Sequence, residues 1–319
     1  MPNAGAEPAV TRFANDLAAL IGGRGSQDRL GIAVSGGPDS MALLWLAHRA
    51  CPDRVEAATV DHGLRPAARD EAEMVAGWCR EAGVPHTILT PPKPISGSIQ
   101  SAARTERYRL LEQWRTERGL VWLLTAHHAD DQLETMLMRL NRSSGVAGLA
   151  GIRTCNGVVL RPLLGWRRSE LIEITDRAEL PYVHDPSNAD SRFDRAALRA
   201  RLSGVDWLDP AAFSRSAAAC ADADEALQWM VGVLVERHVH RRGEHAIVLD
   251  RHDFPREILR RLILRMLAML HPDAPVPRGD SVDQAIVQLS RGKRMTIGDG
   301  LLTGGACWTL EPAPPRAGR

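Results

Sequence analysis

The chain is nearly devoid of lysine. Only Lys93 and Lys293 occur in 319 residues, so arginine supplies almost all of the 40 basic side chains. Genome base composition accounts for such a skew, and the guanidinium fork also suits phosphate contacts. No C-x-x-C pair exists among the five scattered cysteines (Cys51, Cys79, Cys155, Cys220 and Cys307), which argues against a zinc knuckle or a dithiol redox site. No apolar run approaches the ~20 residues of a membrane span. The opening "MPNAGAEPAVTRFANDLAALIGG" lacks a basic start followed by a continuous apolar stretch, so it does not read as a signal peptide. The expectation is a soluble cytoplasmic protein without membrane contact. There is no internal repeat. Hydrophobic residues make up 44% of the chain and the formal net charge is +1, which allows a full-sized core in two domains.

Short apolar runs alternate with helical patterns. "RLGIAV" (29–34), "VEAATV" (55–60), "HTIL" (86–89) and "LVWLLTA" (120–126) read as strands. Helices are expected over 8–21, after Pro38, over 67–83, 98–119 and 130–141, with Gly83 and Gly119 as C-terminal stops. This order predicts an α/β fold with a doubly wound parallel sheet. Ligands of such sheets bind beyond the carboxyl ends of the strands. The polar loops at 35–40, 61–65 and 125–131 each follow a strand, so they should converge on one crevice. Beyond Gly151 a strand at 158–164, a helix at 167–180 and a polar loop running into a helix at 181–202 are expected. Helices at 209–237 and 254–271 and short strands within 294–311 predict a smaller, mainly helical C-terminal domain. The expected domains are 1–204 and 205–319.

The loop Ser35-Gly36-Gly37-Pro38-Asp39-Ser40 stands between the first strand and a helix. Glycines there let backbone N–H groups face an anion, and the helix N-terminus adds a favourable dipole. The lysine of G-x-x-x-x-G-K-[ST] is missing, and so is G-x-G-x-x-G. A carboxylate beside a phosphate site is repulsive unless a cation bridges the two, and Mg²⁺ shared between Asp39 and phosphates meets that need. The alternative is a plain strand-to-helix turn.

The hexapeptide resembles the pyrophosphate loop of the N-type ATP pyrophosphatases (PP-loop proteins). Members of that family cleave ATP between the α and β phosphates, adenylate a carbonyl oxygen and let a nucleophile displace AMP. With "DHGLR" (61–65), "AARTERY" (102–108), "TAHHADDQLET" (125–135) and "DPSNADSRFDRAALR" (185–199) following in order, residues 28–202 resemble the tRNA(Ile)-lysidine synthetase branch. His184 departs from the acidic residue expected before "DPSN". The resemblance implies ATP-dependent ligation of free L-lysine to C2 of the wobble cytidine in the CAU anticodon of a minor tRNA(Ile). ATP is then a substrate, Mg²⁺ a cofactor held by Asp39, and the assembly a homodimer. ATP binding falls to Ser35, Gly36, Gly37, Pro38, Asp39, Ser40, Arg104 and His127. His62 and Arg65 are further contacts at the site.

Asp131 and Glu134 lie three apart on one helical face, which suits an ammonium ligand, and the resemblance puts lysine recognition there. For Asp130 a solvated helix start in the favourable dipole is the preferred reading. Arg195 and Arg199 share a helical face, read as tRNA phosphate contacts or as a solvated basic surface; the resemblance favours the former. No lysine falls within these motifs, so a lysine nucleophile must come from solution. Rival expectations are a 2-thiolating enzyme on the same fold and a nucleotide-gated RNA-binding module. The helices after 204 are read as a tRNA-docking domain.

Overall fold

Residues 6–22, 27–63, 67–92, 99–183, 194–202, 204–243, 245–277 and 279–314 are described in a computed structural model of the chain. After α1 (Ala6–Ile21), strands and helices alternate strictly: β1 (Leu30–Ala33), α2 (Pro38–Ala50), β2 (Val55–Val60), α3 (Ala67–Ala82), β3 (His86–Leu89), α4 (Ile99–Glu117), β4 (Trp122–Leu124) and α5 (Ala129–Leu140). There follow α6 (Val146–Leu149), β5 (Cys155–Asn156), β6 (Val159–Leu160), α7 (Arg168–Arg177), α8 (Asp194–Leu202) and α9 (Pro210–His238).

The strands form one sheet in the order β3-β2-β1-β4-β6-β5. All neighbours are parallel except the two-residue β5, which runs antiparallel to β6. The parallel strands are apolar because helices cover both faces. Leu30, Ile32, Val34, Leu43, Leu44, Leu124 and Leu160 are fully buried in the core. Each such side chain contributes about 2 kcal/mol of burial. Gly31 has no room for a side chain: a Cβ would lie 2.8 Å from Trp114 Cζ3. Connections from β1 build outward to β2 and β3, and the next connection returns to β4 on β1's other side. The topological switch point therefore falls between β1 and β4, where a crevice opens at the carboxyl ends.

Charge at the opposite rim is structural. Glu56 near the start of β2 is buried and pairs with Arg29 and, at 2.8 Å, with Arg118. This rim lies at the amino ends of the strands, away from the loops that follow them.

The chain divides into two compact units, Met1–Ala221 and Asp222–Arg319, with the division inside α9. The second unit holds the rest of α9, α10 (Arg256–Leu270), α11 (Gly279–Ser290) and a five-stranded antiparallel sheet. Its strands are β7 (Val239–Arg242), β8 (Ala246–Leu249), β9 (Arg294–Ile297), β10 (Gly300–Thr303) and β11 (Trp308–Pro312), in the order β7-β8-β11-β10-β9. Ile247, Leu249, Leu262, Met266, Leu302, Trp308 and Leu310 fill its core. The sequence reading anticipates β9 to β11 but neither β7 and β8 nor α11. No helix among the described residues is long and apolar enough to cross a membrane.

Candidate active site at the switch point

The loop after β1 is shaped by its own hydroxyls. Ser40 Oγ accepts from Ser35 N at 3.1 Å, donates to Gly37 O at 2.9 Å and lies 3.2 Å from Ser35 Oγ. Ser40 is buried, so its hydroxyl fastens the loop, whereas Ser35 is exposed. Gly36 takes φ +82°, a left-handed conformation in which a side chain would be strained, and its carbonyl accepts from Val183 N at 2.9 Å. Gly37 is the N-cap of α2 and Pro38 occupies the first helical turn, where its missing N–H costs nothing. Asp39 follows in the same turn, with its carboxylate at the positive end of the helix dipole.

The loop after β4 delivers the facing half. His128 caps α5 reciprocally with Asp131: Asp131 N donates to His128 Nδ1 at 3.4 Å, and His128 N donates to Asp131 Oδ2 at 3.1 Å. Across the crevice His128 Nε2 lies 3.6 Å from Asp39 Oδ2, and it is also 3.4 Å from Asp131 Oδ2. At 2% exposure, His128 is a buried imidazole among three carboxylates, since Asp130 Oδ2 is 3.7 Å from its Nδ1. Burial alone would lower its pKa. Attraction to the nearby carboxylates of Asp39, Asp131 and Asp130 outweighs burial, and the net shift is upward.

A histidine pKa raised in the folded chain adds stability that is complete below the unfolded value of ~6.5 and is lost as pH rises through the folded value. Melting temperatures of the unliganded chain should therefore fall less steeply between pH 6 and 8.5 in His128→Gln than in wild type. Comparing slopes removes the opposite contributions of His62 and His86, whose values are lowered by burial. Equal slopes would refute the assignment.

Glu134, one turn along α5, is 4% exposed. Arg199 of α8 grips it with two bonds, Nε to Oε1 at 2.7 Å and Nη2 to Oε2 at 3.0 Å, and lies 3.9 Å from Asp131 Oδ1. A residue read from sequence as a tRNA contact thus holds a residue read as a lysine contact. Asp130 is engaged as well. Its Oδ2 accepts from Arg168 N at 2.8 Å and lies 3.5 Å from Arg167 Nε, which ties the start of α7 to the start of α5. Arg168 Nε is 3.9 Å from Asp39 Oδ1.

The remaining predicted residues are distributed differently. His127 is half-buried, with Nδ1 3.0 Å from Thr125 Oγ1. Arg104 is exposed on α4 and lies over the Tyr108 ring at 5.2 Å. His62 follows β2 in the loop turned by Asp61, whose Oδ1 accepts from Gly63 N at 2.9 Å. His62 Nδ1 is buried without a hydrogen-bond partner, and its pKa is lowered by burial first and then by Arg107. Arg107 is itself lowered by burial. Arg65, His184, most of the "DPSN" stretch and the side chain of Arg195 lie outside the described residues.

The sequence sets His127 and His128 together at the crevice but gives a role to His127 alone, and it offers neither Arg167 nor Arg168 as a site residue. For His128 a signal existed: a polar residue three before an acidic one at a helix start reads as a reciprocal cap. For the two arginines none did, because α7 is far along the chain from either loop.

A parallel sheet whose switch point joins a Ser-Gly-Gly-Pro-Asp-Ser loop to a carboxylate-bearing helix start defines a PP-loop protein, and a family model for the PP-loop domain matches residues 9–205. A tRNA(Ile)-lysidine synthase of Zymomonas mobilis is 43% identical over 298 residues, covering 90% of this chain and 89% of that one. One from Novosphingobium aromaticivorans is 39% identical over 315 residues, covering 96% and 94%. The chain belongs to the tRNA(Ile)-lysidine synthase family. Among solved structures, a U34-tRNA thiolase from Methanococcus maripaludis aligns with a TM-score of 0.53 over 65% of this chain and 77% of that one, at 17% identity, a likeness of fold.

Proposed function

We propose that the chain uses ATP to join free L-lysine to C2 of the wobble cytidine in the CAU anticodon of a minor tRNA(Ile). The observation that carries this reading is the meeting of the Asp39 loop with the Asp131–Glu134 helix start around one buried histidine. One side of the crevice suits a polyphosphate and the other an ammonium group. In the first step the cytidine O2 attacks the α-phosphorus, the bond to the β-phosphate oxygen breaks and pyrophosphate leaves. In the second the lysine amine, having lost a proton, attacks C2, and the C2–O2 bond breaks with release of AMP.

We assign the β and γ phosphates to the backbone N–H groups of the Ser35 to Ser40 loop, and further phosphate contacts to Arg104 and His127. Asp39 fits a magnesium ion, because its Oδ1 is buried and has no hydrogen-bond partner. Such an ion would be held by Asp39 together with the phosphates and would neutralise charge on the departing pyrophosphate. Asp131 directs Oδ2 to the cap, which leaves Oδ1 to accept a proton from the incoming ammonium. Glu134, fixed by Arg199, supplies the second negative charge for that cation. Placing these groups in fixed positions lowers the barrier by orientation and by preorganised charge.

The second unit is assigned tRNA docking. Support comes from cationic edges on its sheet, where Arg241 and Arg242 on β7 and Lys293 and Arg294 on the β9 side are exposed. Such edges match a phosphate backbone.

The test is incorporation of labelled lysine into a tRNA(Ile) transcript with a CAU anticodon. ATP-dependent incorporation, with one AMP and one pyrophosphate per lysine, is the expected result. ATP cleavage without incorporation would overturn lysine as the nucleophile, and no cleavage would overturn the reaction itself.

A further inference from the structure

The crevice sets carboxylates against arginines. Asp39, Asp130, Asp131 and Glu134 face Arg167, Arg168 and Arg199, with the buried His128 among the carboxylates. These cations are not equally committed. Arg199 makes two hydrogen bonds to Glu134. Arg167 sits between Asp130 at 3.5 Å and Asp209 at 4.0 Å. Arg168 differs: its backbone N–H anchors to Asp130, while its guanidinium meets Asp39 Oδ1 only at 3.9 Å, beyond hydrogen-bond reach. That same oxygen is buried and unbonded. The Arg168 side chain is 35% exposed, so it has room to turn.

We infer that Arg168 is a phosphate-binding residue of the nucleotide site, resting beside Asp39 until a metal-bound triphosphate arrives and then turning to the β and γ phosphates. The inference rests on the ATP reading above. A divalent cation on Asp39 and a guanidinium about 4 Å from the same oxygen repel each other, and at this range repulsion is worth kilocalories even with an effective dielectric of ~20. The cation that must leave Asp39 is thereby delivered beside the anion that arrives. Its donors are planar and fork-shaped, matched to bridging phosphate oxygens. The backbone anchor to Asp130 survives any change of the side chain, so α7 keeps its start in a variant.

The test is equilibrium binding of ATP, inorganic pyrophosphate and AMP to the full chain by calorimetry with magnesium, for wild type, Arg168→Ala and Arg168→Lys. Arg168→Ala should weaken ATP and pyrophosphate by about tenfold or more, as loss of a charge-assisted bond implies, and leave AMP within about twofold. Arg168→Lys should recover part of the loss, because charge returns without the fork. Unchanged ATP and pyrophosphate binding in Arg168→Ala, or equal weakening of AMP, would overturn the inference while leaving the ATP reading intact. A wild-type chain that binds neither ATP nor pyrophosphate would overturn both.

Discussion

Asp39→Ala should fold as wild type does and lose lysidine-forming turnover by roughly three orders of magnitude, about 4 kcal/mol of transition-state stabilisation. The fold is spared because Asp39 contributes little to the loop. Ser40 closes that loop, Gly37 caps α2 and Pro38 starts it, and none of these contacts uses the Asp39 side chain. Truncation removes a carboxylate with one unbonded oxygen, so the stability change should stay near 1 kcal/mol. Turnover is lost because departure of pyrophosphate needs its charge met by a cation, and Asp39 is the carboxylate that the loop presents. The measurement is pyrophosphate release with tRNA(Ile), lysine and saturating magnesium, beside a thermal melt. Near-normal release from a folded variant would refute the role of Asp39.

The sheet was legible because strands covered on both faces become short apolar runs, unbroken in "LGIA" and interrupted only by Glu56 and Thr59 in "VEAATV". Glycine stops such as Gly83 and Gly119, both at positive φ, marked helix ends locally. What escaped was brief or disguised. β5 has two residues, and β7 is the arginine- and histidine-rich "VHRR", exposed after Val239, whereas the equally short β6 falls inside the strand expected at 158–164. β7 is a strand because β8 pairs with it, a fact that no local pattern carries.

The site divides in the same way. Convergence of the loops after β1 and β4 followed from topology alone, since both strands end at the switch point. Which side chains touch there did not. The adjacent histidines looked equivalent in sequence, yet one caps α5 and is buried against Asp39 while its neighbour stays half-exposed. Helical spacing placed Arg195 and Arg199 on one face but could not show that Arg199 faces Glu134, 65 positions earlier.

Glu134→Gln should separate the two steps of the reaction. The amide keeps the size of the side chain but loses the charge and one of two acceptors, so the paired guanidinium of Arg199 keeps at most one bond. Breaking a fully buried pair costs ~3–5 kcal/mol, but Arg199 is 35% exposed and solvent recovers part of that, so a stability loss of about 1–2 kcal/mol is expected. The effect on lysine is larger. The crevice then offers the ammonium only Asp131, and KM for lysine should rise by about two orders of magnitude. Adenylation of the cytidine uses no lysine, so single-turnover release of pyrophosphate with tRNA and ATP should continue near the wild-type rate. Equal loss of both steps would make Glu134 a structural anchor for α8, and an unchanged lysine KM would remove it from the binding site. Arg199→Ala provides the control. It leaves Glu134 charged but unpaired, so its lysine KM should rise less than in Glu134→Gln even where its stability falls as far. The coupling between the two changes, measured as a double-mutant cycle on lysine KM and on melting separately, distinguishes a carboxylate that binds the amine from one that only binds the arginine.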